Sequence, residues 1–347
     1  MTAERRRTQL RVLIGTYTRG TASEGIYAAE WDESSGTLTL VGVAARVDNP
    51  SFLVRSTRHQ RVYATLEVTD VTSEGEGAVA SFELAGDTLH ERNRVASGGG
   101  APCALAFDPA EQQLGVANYA GTVAFLGISA NGDVGVHTSI VRHPRGSVHP
   151  RRQTTGHPHD VTFVEGELWV PDLGADATFR YRVRSGSLEH VGEIESIPGS
   201  GPRFLVAHPT MSVRHLVHEL SNEVATLANG STVQRISTLA PGFTGRSFAS
   251  DVHYSRDGHY LYVANRGEDS IVGYRVGADG TLDVCTRAPT GGAHPRAFAL
   301  TPEEGFMLVA NRDANAVAVL ARNPSNGELS PPSSMLAVPA PACFLFV

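Results

Sequence analysis

The sequence predicts an all-β fold: a seven-bladed β-propeller with four-stranded antiparallel blades, occupying residues 1–347 as one domain. Three observations predict it. A phrase that opens on a proline recurs along the whole chain, each recurrence contains several short apolar segments separated by turns, and the last copy stops after its first segment. Four short strands in a unit of roughly 50 residues is the period of a propeller blade, whereas a helical solenoid would space its apolar residues by about 3.6.

The opening prolines are Pro50 in NPSFLV, Pro102 in APCALAF, Pro158 in HPHDVTF, Pro202 in GPRFLVAH, Pro295 in HPRAFAL and Pro341 in APACFLFV, with Ala249 of FASDVHY replacing proline once. Their steps are 52, 56, 44, 47, 46 and 46 residues. These phrases predict the first strand of each blade. VYATLE, LGVANY, LWVPDL, LVHELS, LYVANR and MLVANR predict the second, and alternating stretches such as TVAFLGI, IVGYRV and AVAVLAR predict the third. Turns in SGTLTL, SGSLEH, ADGTLDV and NGELS lead into the fourth. PACFLFV supplies one strand only, so VLIGTYT, GIYAAEWD and LTLVGVAA from the N-terminal end are expected to complete its blade. Closing the ring this way removes free sheet edges.

Composition narrows the function. With 41% hydrophobic and 19% charged residues the chain can bury a core. A net charge of −7 argues against nucleic acid or an acidic membrane as partner. All 29 basic residues are arginines, which excludes lysine Schiff-base and pyridoxal-phosphate chemistry and a P-loop. No cofactor is implied. Cys103, Cys285 and Cys343 are odd in number and far apart, suggesting neither a disulfide framework nor a thiolate zinc site. Arg5, Arg6 and Arg7 precede the apolar run Val12 to Ile14, which is too short for a signal peptide, and no membrane-spanning stretch follows. A soluble, cytoplasmic protein is expected.

In a blade the first strand lies nearest the axis and runs antiparallel to the second, so the start of one and the end of the other meet at one face of the disc. The residue after each opening proline is Ser51, Cys103, His159, Arg203, Ser250, Arg296 or Ala342. Second strands end at Glu67, Asn118, Asp172, Glu219, Asn265 with Arg266, and Asn311 with Arg312. Arginines, an imidazole and carboxylates should therefore converge on one mouth of the central channel, although burying charge costs several kcal/mol unless it is paired. Between Arg142 and Gly156 lies the longest insertion before an inner strand, with Arg142, Arg145, Arg151 and Arg152. It is expected to arch over the mouth beside His159, as a lid, an anion clamp or a solvated loop.

The stretches GSVHPRRQTTGHPHD, WVPDLGADATFRY, GSGPRFLVAHP, HELSNEV, YSRDGHYLYVANRGEDSI, GADGTL and TGGAHPRAFAL resemble the lactonase family of seven-bladed propellers. That family includes propeller-type 6-phosphogluconolactonases and fungal carboxy-muconate lactonizing enzymes, and the similarity runs over essentially the full chain. The resemblance implies four functional residues: the His after Pro158, the Arg of GPR, the Glu of HEL and the Arg of ANR, which are His159, Arg203, Glu219 and Arg266. All four lie among the residues expected at the channel mouth.

Structural alternatives stand beside each. His157, His159 and Asp160 have the look of a short metal motif, Arg203 and Glu219 of an inter-blade ion pair, Arg266 of an ordinary turn residue, and Cys103 of a small buried apolar residue. Arg296, Arg152 and Asp172 are expected to help bind substrate.

Lactone hydrolysis needs an aimed water, a base, and donors where the oxyanion develops. A Glu between arginines should be held ionised and so be a poor base, whereas imidazole starts near about 6.5. His159 is therefore expected to act as base or acid and Glu219 to position water or substrate hydroxyls. Arg203 and Arg266 are expected to hold the carbonyl oxygen and an anionic group of the substrate. A sugar-derived lactone, 6-phosphogluconolactone foremost, is the expected substrate. The alternatives are a muconate cycloisomerase and a non-catalytic interaction scaffold.

Overall fold

The computed structural model describes residues 10–347. The reading of Arg5, Arg6 and Arg7 lies outside the described residues. The described chain forms 28 strands in seven four-stranded sheets, each antiparallel throughout, and contains no helix. We number the blades from the first complete one: blade 1 spans residues 52–96, blade 2 102–142, blade 3 162–195, blade 4 202–237, blade 5 248–289 and blade 6 295–337. Blade 7 joins Pro341–Phe346 to Leu10–Thr16, Gly25–Asp32 and Thr37–Arg46.

The expected ring closure is present. Val12, Leu13 and Ile14 pair with Phe346, Leu345 and Phe344 across the junction of the two chain ends. The next pair, Gly15 with Cys343, has to be this tight: a Cβ at residue 15 would collide with the Pro50 carbonyl and the Cys343 sulfur. Between blades, side chains interdigitate as layers of a sandwich do. Trp31 of blade 7 meets Phe306 of blade 6 edge-on at 5.2 Å, and Phe125 of blade 2 meets Phe163 of blade 3 at 6.2 Å. Buried tyrosines add polar ties, since Tyr63 donates to the Gly132 carbonyl and Tyr262 to that of Gly327, each in the next blade.

Two local devices aim the inner strands. In five blades the residue before the opening proline takes a left-handed backbone: Asn49, Ala101, Gly201, His294 and Ala340, at φ between 41° and 64°. That turn swings the chain from an outer strand to the axis. Immediately afterwards the ladder slips, between Pro102 and Ala104, Pro202 and Phe204, Ala249 and Val252, and Pro295 and Ala297. A bulge leaves one residue unpaired and re-aims its side chain. The residues skipped include Cys103, Arg203, Ser250 and Arg296. In blade 3 the departure is larger: Pro158 makes an isolated bridge to Asp172, and the regular strand begins only at Thr162, later than HPHDVTF suggests.

Candidate active site

Hydrogen-bond register fixes which residue of each second strand reaches the mouth. The amides of Tyr17, Glu67, Tyr119, Leu173, Glu219 and Arg312 each donate to the carbonyl of the residue that precedes an opening proline, and Arg266 pairs with Phe248 at the same level. Asn118, Asp172, Asn265 and Asn311 stand one residue deeper, and a one-residue step turns a strand side chain to the opposite face. Their side chains point into the blade, where Asn118, Asn265 and Asn311 cap the carbonyls of Ser97, Thr238 and Thr290.

Asp172 follows that structural pattern, and the expectation that it binds substrate is corrected accordingly. Fully buried, it accepts from His143 Nδ1 at 2.7 Å and from the amides of His157 and Ala175 at 2.7 and 2.9 Å. It thereby fastens both ends of the segment that arches from His143 to His157. The arch is also tied to itself, because the Ser147 amide donates to the Gln153 carbonyl, the Gln153 amide donates to the His149 carbonyl, and the buried Gln153 side chain donates to the Leu173 carbonyl. Arg145 points to the rim and pairs with Glu193 and Glu195. Arg152 alone of the expected arch arginines turns inward, and its Nη2 meets Glu219 Oε1 at 2.6 Å.

Glu219 is the hub. Its Oε2 lies 2.6 Å from Arg203 Nη1 and 2.7 Å from Arg266 Nη2, so arginines from the arch, blade 4 and blade 5 surround one carboxylate. Glu219 and Arg203 are each 1% exposed. The two do pair, but within blade 4 and not between blades as expected, and the pair is part of a larger cluster. Burial alone would raise the Glu219 pKa, but the neighbouring positive charges, that of Arg266 foremost, outweigh it and hold the carboxyl below its ordinary value. Three positive charges against one negative leave the cluster cationic.

Arg203 is further fixed by its Nε, which donates to the Ser250 carbonyl of blade 5 at 2.8 Å, and by a short contact in which Nη1 donates to His159 Nε2. His159 must therefore be neutral, with its proton on Nδ1. Burial draws its pKa down to about 3 despite the opposing Glu219 charge. The expectation that this imidazole titrates in the working range is thus corrected, because desolvation dominates. Two buried polar atoms here, His159 Nδ1 and Arg203 Nη2, have no hydrogen-bond partner among the described residues. Such atoms are costly unless a ligand or water engages them. His157 and Asp160 diverge from His159: His157 Nδ1 faces the Tyr119 carbonyl, and Asp160 accepts the Leu205 amide.

Arg266 is anchored through Nε and Nη2 to the Phe248 and Ala249 carbonyls, which makes it part of the wall and not a free turn residue. Arg296 enters the mouth from blade 6, whose inner strand packs against that of blade 5. It makes no ion pair among the described residues; Nε and Nη2 both donate to the Tyr17 hydroxyl, which in turn donates to Glu67. Arg296 also lines a channel cavity of about 120 Å³ with Ser51, Cys103, Phe204 and Asp251. Cys103 in that wall is a buried thiol whose pKa burial pushes well above its ordinary value, as suits an inert small residue. A larger hollow of about 940 Å³ opens on the far side of Tyr17, over blades 6 and 7. Its walls hold few of the clustered charges, so the arginine–glutamate cluster is the better candidate for chemistry.

Sequence reading missed Tyr17, Tyr119, Phe248 and Arg246. Tyr17 was findable, since it follows VLIGT as Glu67 follows VYATL. Phe248 and Arg246 carry no motif, and only the fold brings them to the mouth.

Seven blades, with the Glu219 carboxylate, a neutral imidazole and several guanidiniums brought together at one mouth by the arch and blades 3, 4 and 5, define a propeller with a built polar site. The chain belongs to the lactonase family of such propellers: the family model described as "Lactonase, 7-bladed beta-propeller" matches residues 11–346. A 6-phosphogluconolactonase of Bacillus subtilis (strain 168) is 32% identical over 346 residues, covering 96% of this chain and 97% of that protein. Among solved structures, the periplasmic gluconolactonase PpgL of Pseudomonas aeruginosa superposes with a TM-score of 0.91 at 31% identity, over 98% of this chain and 99% of that one. A putative 6-phosphogluconolactonase of Bacteroides fragilis NCTC 9343 gives 0.89 at 27% identity, with both chains covered completely.

Proposed function

We propose that this protein is a carboxylic-ester hydrolase that opens a sugar-derived lactone at the arginine-lined mouth, with 6-phosphogluconolactone as its substrate. The observation that carries the reading is the single ionised carboxylate of Glu219 held by Arg152, Arg203 and Arg266 beside a neutral imidazole. The names of the relatives at about this similarity support the lactonase class, and the cationic excess supports a substrate bearing negative charge.

The roles follow from the bonds. Three of the roughly four lone-pair sites on the Glu219 carboxylate are taken by arginines, which leaves one to accept a proton of the attacking water. Arg203 and Arg266 supply donors to the carbonyl oxygen as it becomes an oxyanion. These two events assist each other. As a guanidinium turns part of its hydrogen bonding to the oxyanion, the carboxylate loses some of the field that depresses its pKa, and its affinity for the water proton rises when it is needed. His159, whose Nε2 already accepts from Arg203, positions that guanidinium and offers Nδ1–H as a further donor. Arg296, held to Tyr17, contacts the substrate from blade 6.

The test is acid release from δ-gluconolactone and from its 6-phosphate, and ultraviolet absorbance change with a carboxymuconolactone, each corrected for the uncatalysed reaction. Turnover of the sugar lactones is the expected result. Turnover of the muconolactone alone would replace hydrolysis by cycloisomerisation, and inactivity on all three would favour the scaffold reading.

A further inference from the structure

Phe248 opens the inner strand of blade 5, beside the catalytic cluster, and its ring gathers three guanidiniums. The Cζ of Arg246 lies 4.9 Å from its centroid, that of Arg152 5.7 Å and that of Arg266 5.9 Å. Arg152 and Arg266 share Glu219 as counter-ion, but Arg246 is exposed and has no hydrogen bond or ion pair from its side chain among the described residues. An aromatic face offsets only a small part of the charge of an exposed cation. Like charges brought together beyond what one carboxylate neutralises favour an added anion.

The position of Arg246 is also built. Residue 267 is glycine at φ 109°, and any Cβ there would strike the Arg246 carbonyl. Ser247 donates to the Arg266 carbonyl at 3.2 Å, and its own carbonyl accepts from Asn222 of blade 4 at 2.9 Å. The loop that carries Arg246 is thus pinned against the residue that holds Glu219. A planar guanidinium pair at the rim suits a tetrahedral dianion with several acceptor oxygens better than a neutral hydroxymethyl group.

We propose that Arg246, with Arg152 on the same Phe248 ring, forms a phosphate subsite that reads the dianion at the end of the substrate remote from the scissile ester, while Arg266 stays with the reacting carbonyl. This rests on the lactonase reading and names the residue that would read the substrate's phosphate. Arg246 is then a specificity residue, and it contacts no reacting atom.

The experiment compares kcat/KM for 6-phosphogluconolactone and δ-gluconolactone in the wild type, in Arg246→Gln and in Phe248→Leu, together with equilibrium binding of 6-phosphogluconate and gluconate. The wild type should favour the phosphorylated compound in both measurements. Arg246→Gln should reduce that preference at least about tenfold, chiefly through KM, and Phe248→Leu should reduce it less. A wild type with no preference, or an Arg246→Gln preference equal to that of the wild type, would overturn the subsite while leaving lactone hydrolysis intact. If the wild type hydrolyses neither lactone, the lactonase reading fails, and the binding arm still decides the subsite: selective, Arg246-dependent binding of 6-phosphogluconate upholds it, and equal binding overturns it. Because Arg246 is exposed, its variant should melt with the wild type, which the thermal transition checks.

Discussion

Glu219 keeps its charge inside the protein because guanidiniums on three sides outweigh the burial that opposes it. His159 loses its charge because burial outweighs the opposing Glu219 charge, and its hydrogen-bond partner is itself a cation, Arg203. These opposite outcomes at adjacent residues set the pH dependence. With Glu219 at about 2 and His159 at about 3, neither changes state in the neutral range. The kcat profile, corrected for spontaneous hydrolysis, should be flat between about pH 5 and 8. An inflection near 6.5 that disappears in His159→Gln would instead make the imidazole the base. At this scale the four principal residues were legible in the sequence, two by their place after a proline, two by their place at a strand end. Their protonation states were not, because desolvation depends on how completely the neighbouring blades cover them.

Bulges are the elements that turn Arg203 and Arg296 toward the axis, and each is secured from the preceding blade by a buried acid. Asp160 of the blade 3 inner segment accepts the Leu205 amide at 3.1 Å, and Asp251 of blade 5 accepts that of Phe298 at 3.0 Å. Burial raises the Asp160 pKa from 3.8 to about 7. A carboxyl group whose pKa is higher folded than unfolded binds more protons in the native state, so stability is lost as pH rises from about 4 through 7. Asp160→Asn retains an acceptor for Leu205 and cannot ionise. Its stability relative to wild type should therefore improve across that window by up to about 4 kcal/mol, measured by denaturant unfolding at several pH values. A difference that does not vary with pH would show that Asp160 is ionised throughout. Strand order and turns were readable from alternation and Gly-containing hairpins, but bulges insert no residue that a pattern reveals. Asp172 was placed at the mouth for another reason: in an unbulged second strand, counting to the end of LWVPDL stopped one residue too deep, which gave the right strand and the wrong face.

The disc as a whole depends on one strand contributed by the chain's last residues. Pro341–Phe346 is the innermost strand of blade 7, and it pairs with Leu10–Thr16 and packs against the inner strands of blades 1 and 6. Removing residues 341–347 should open the ring, lower Tm and broaden the thermal transition, whereas an unchanged melt would show that the other blades hold without closure. Closure also makes the site, because His159, Arg203, Glu219 and Arg266 meet only if blades 3, 4 and 5 share an axis. The most direct test of that convergence is the rate of acid release from 6-phosphogluconolactone by folded Arg203→Ala and Arg203→Lys. Arg203→Ala should be slower than the wild type by about a hundred- to a thousandfold, and lysine, unable to reach the Ser250 carbonyl, His159 and Glu219 together, should restore little of the loss. Turnover by folded Arg203→Ala close to that of the wild type would contradict the account.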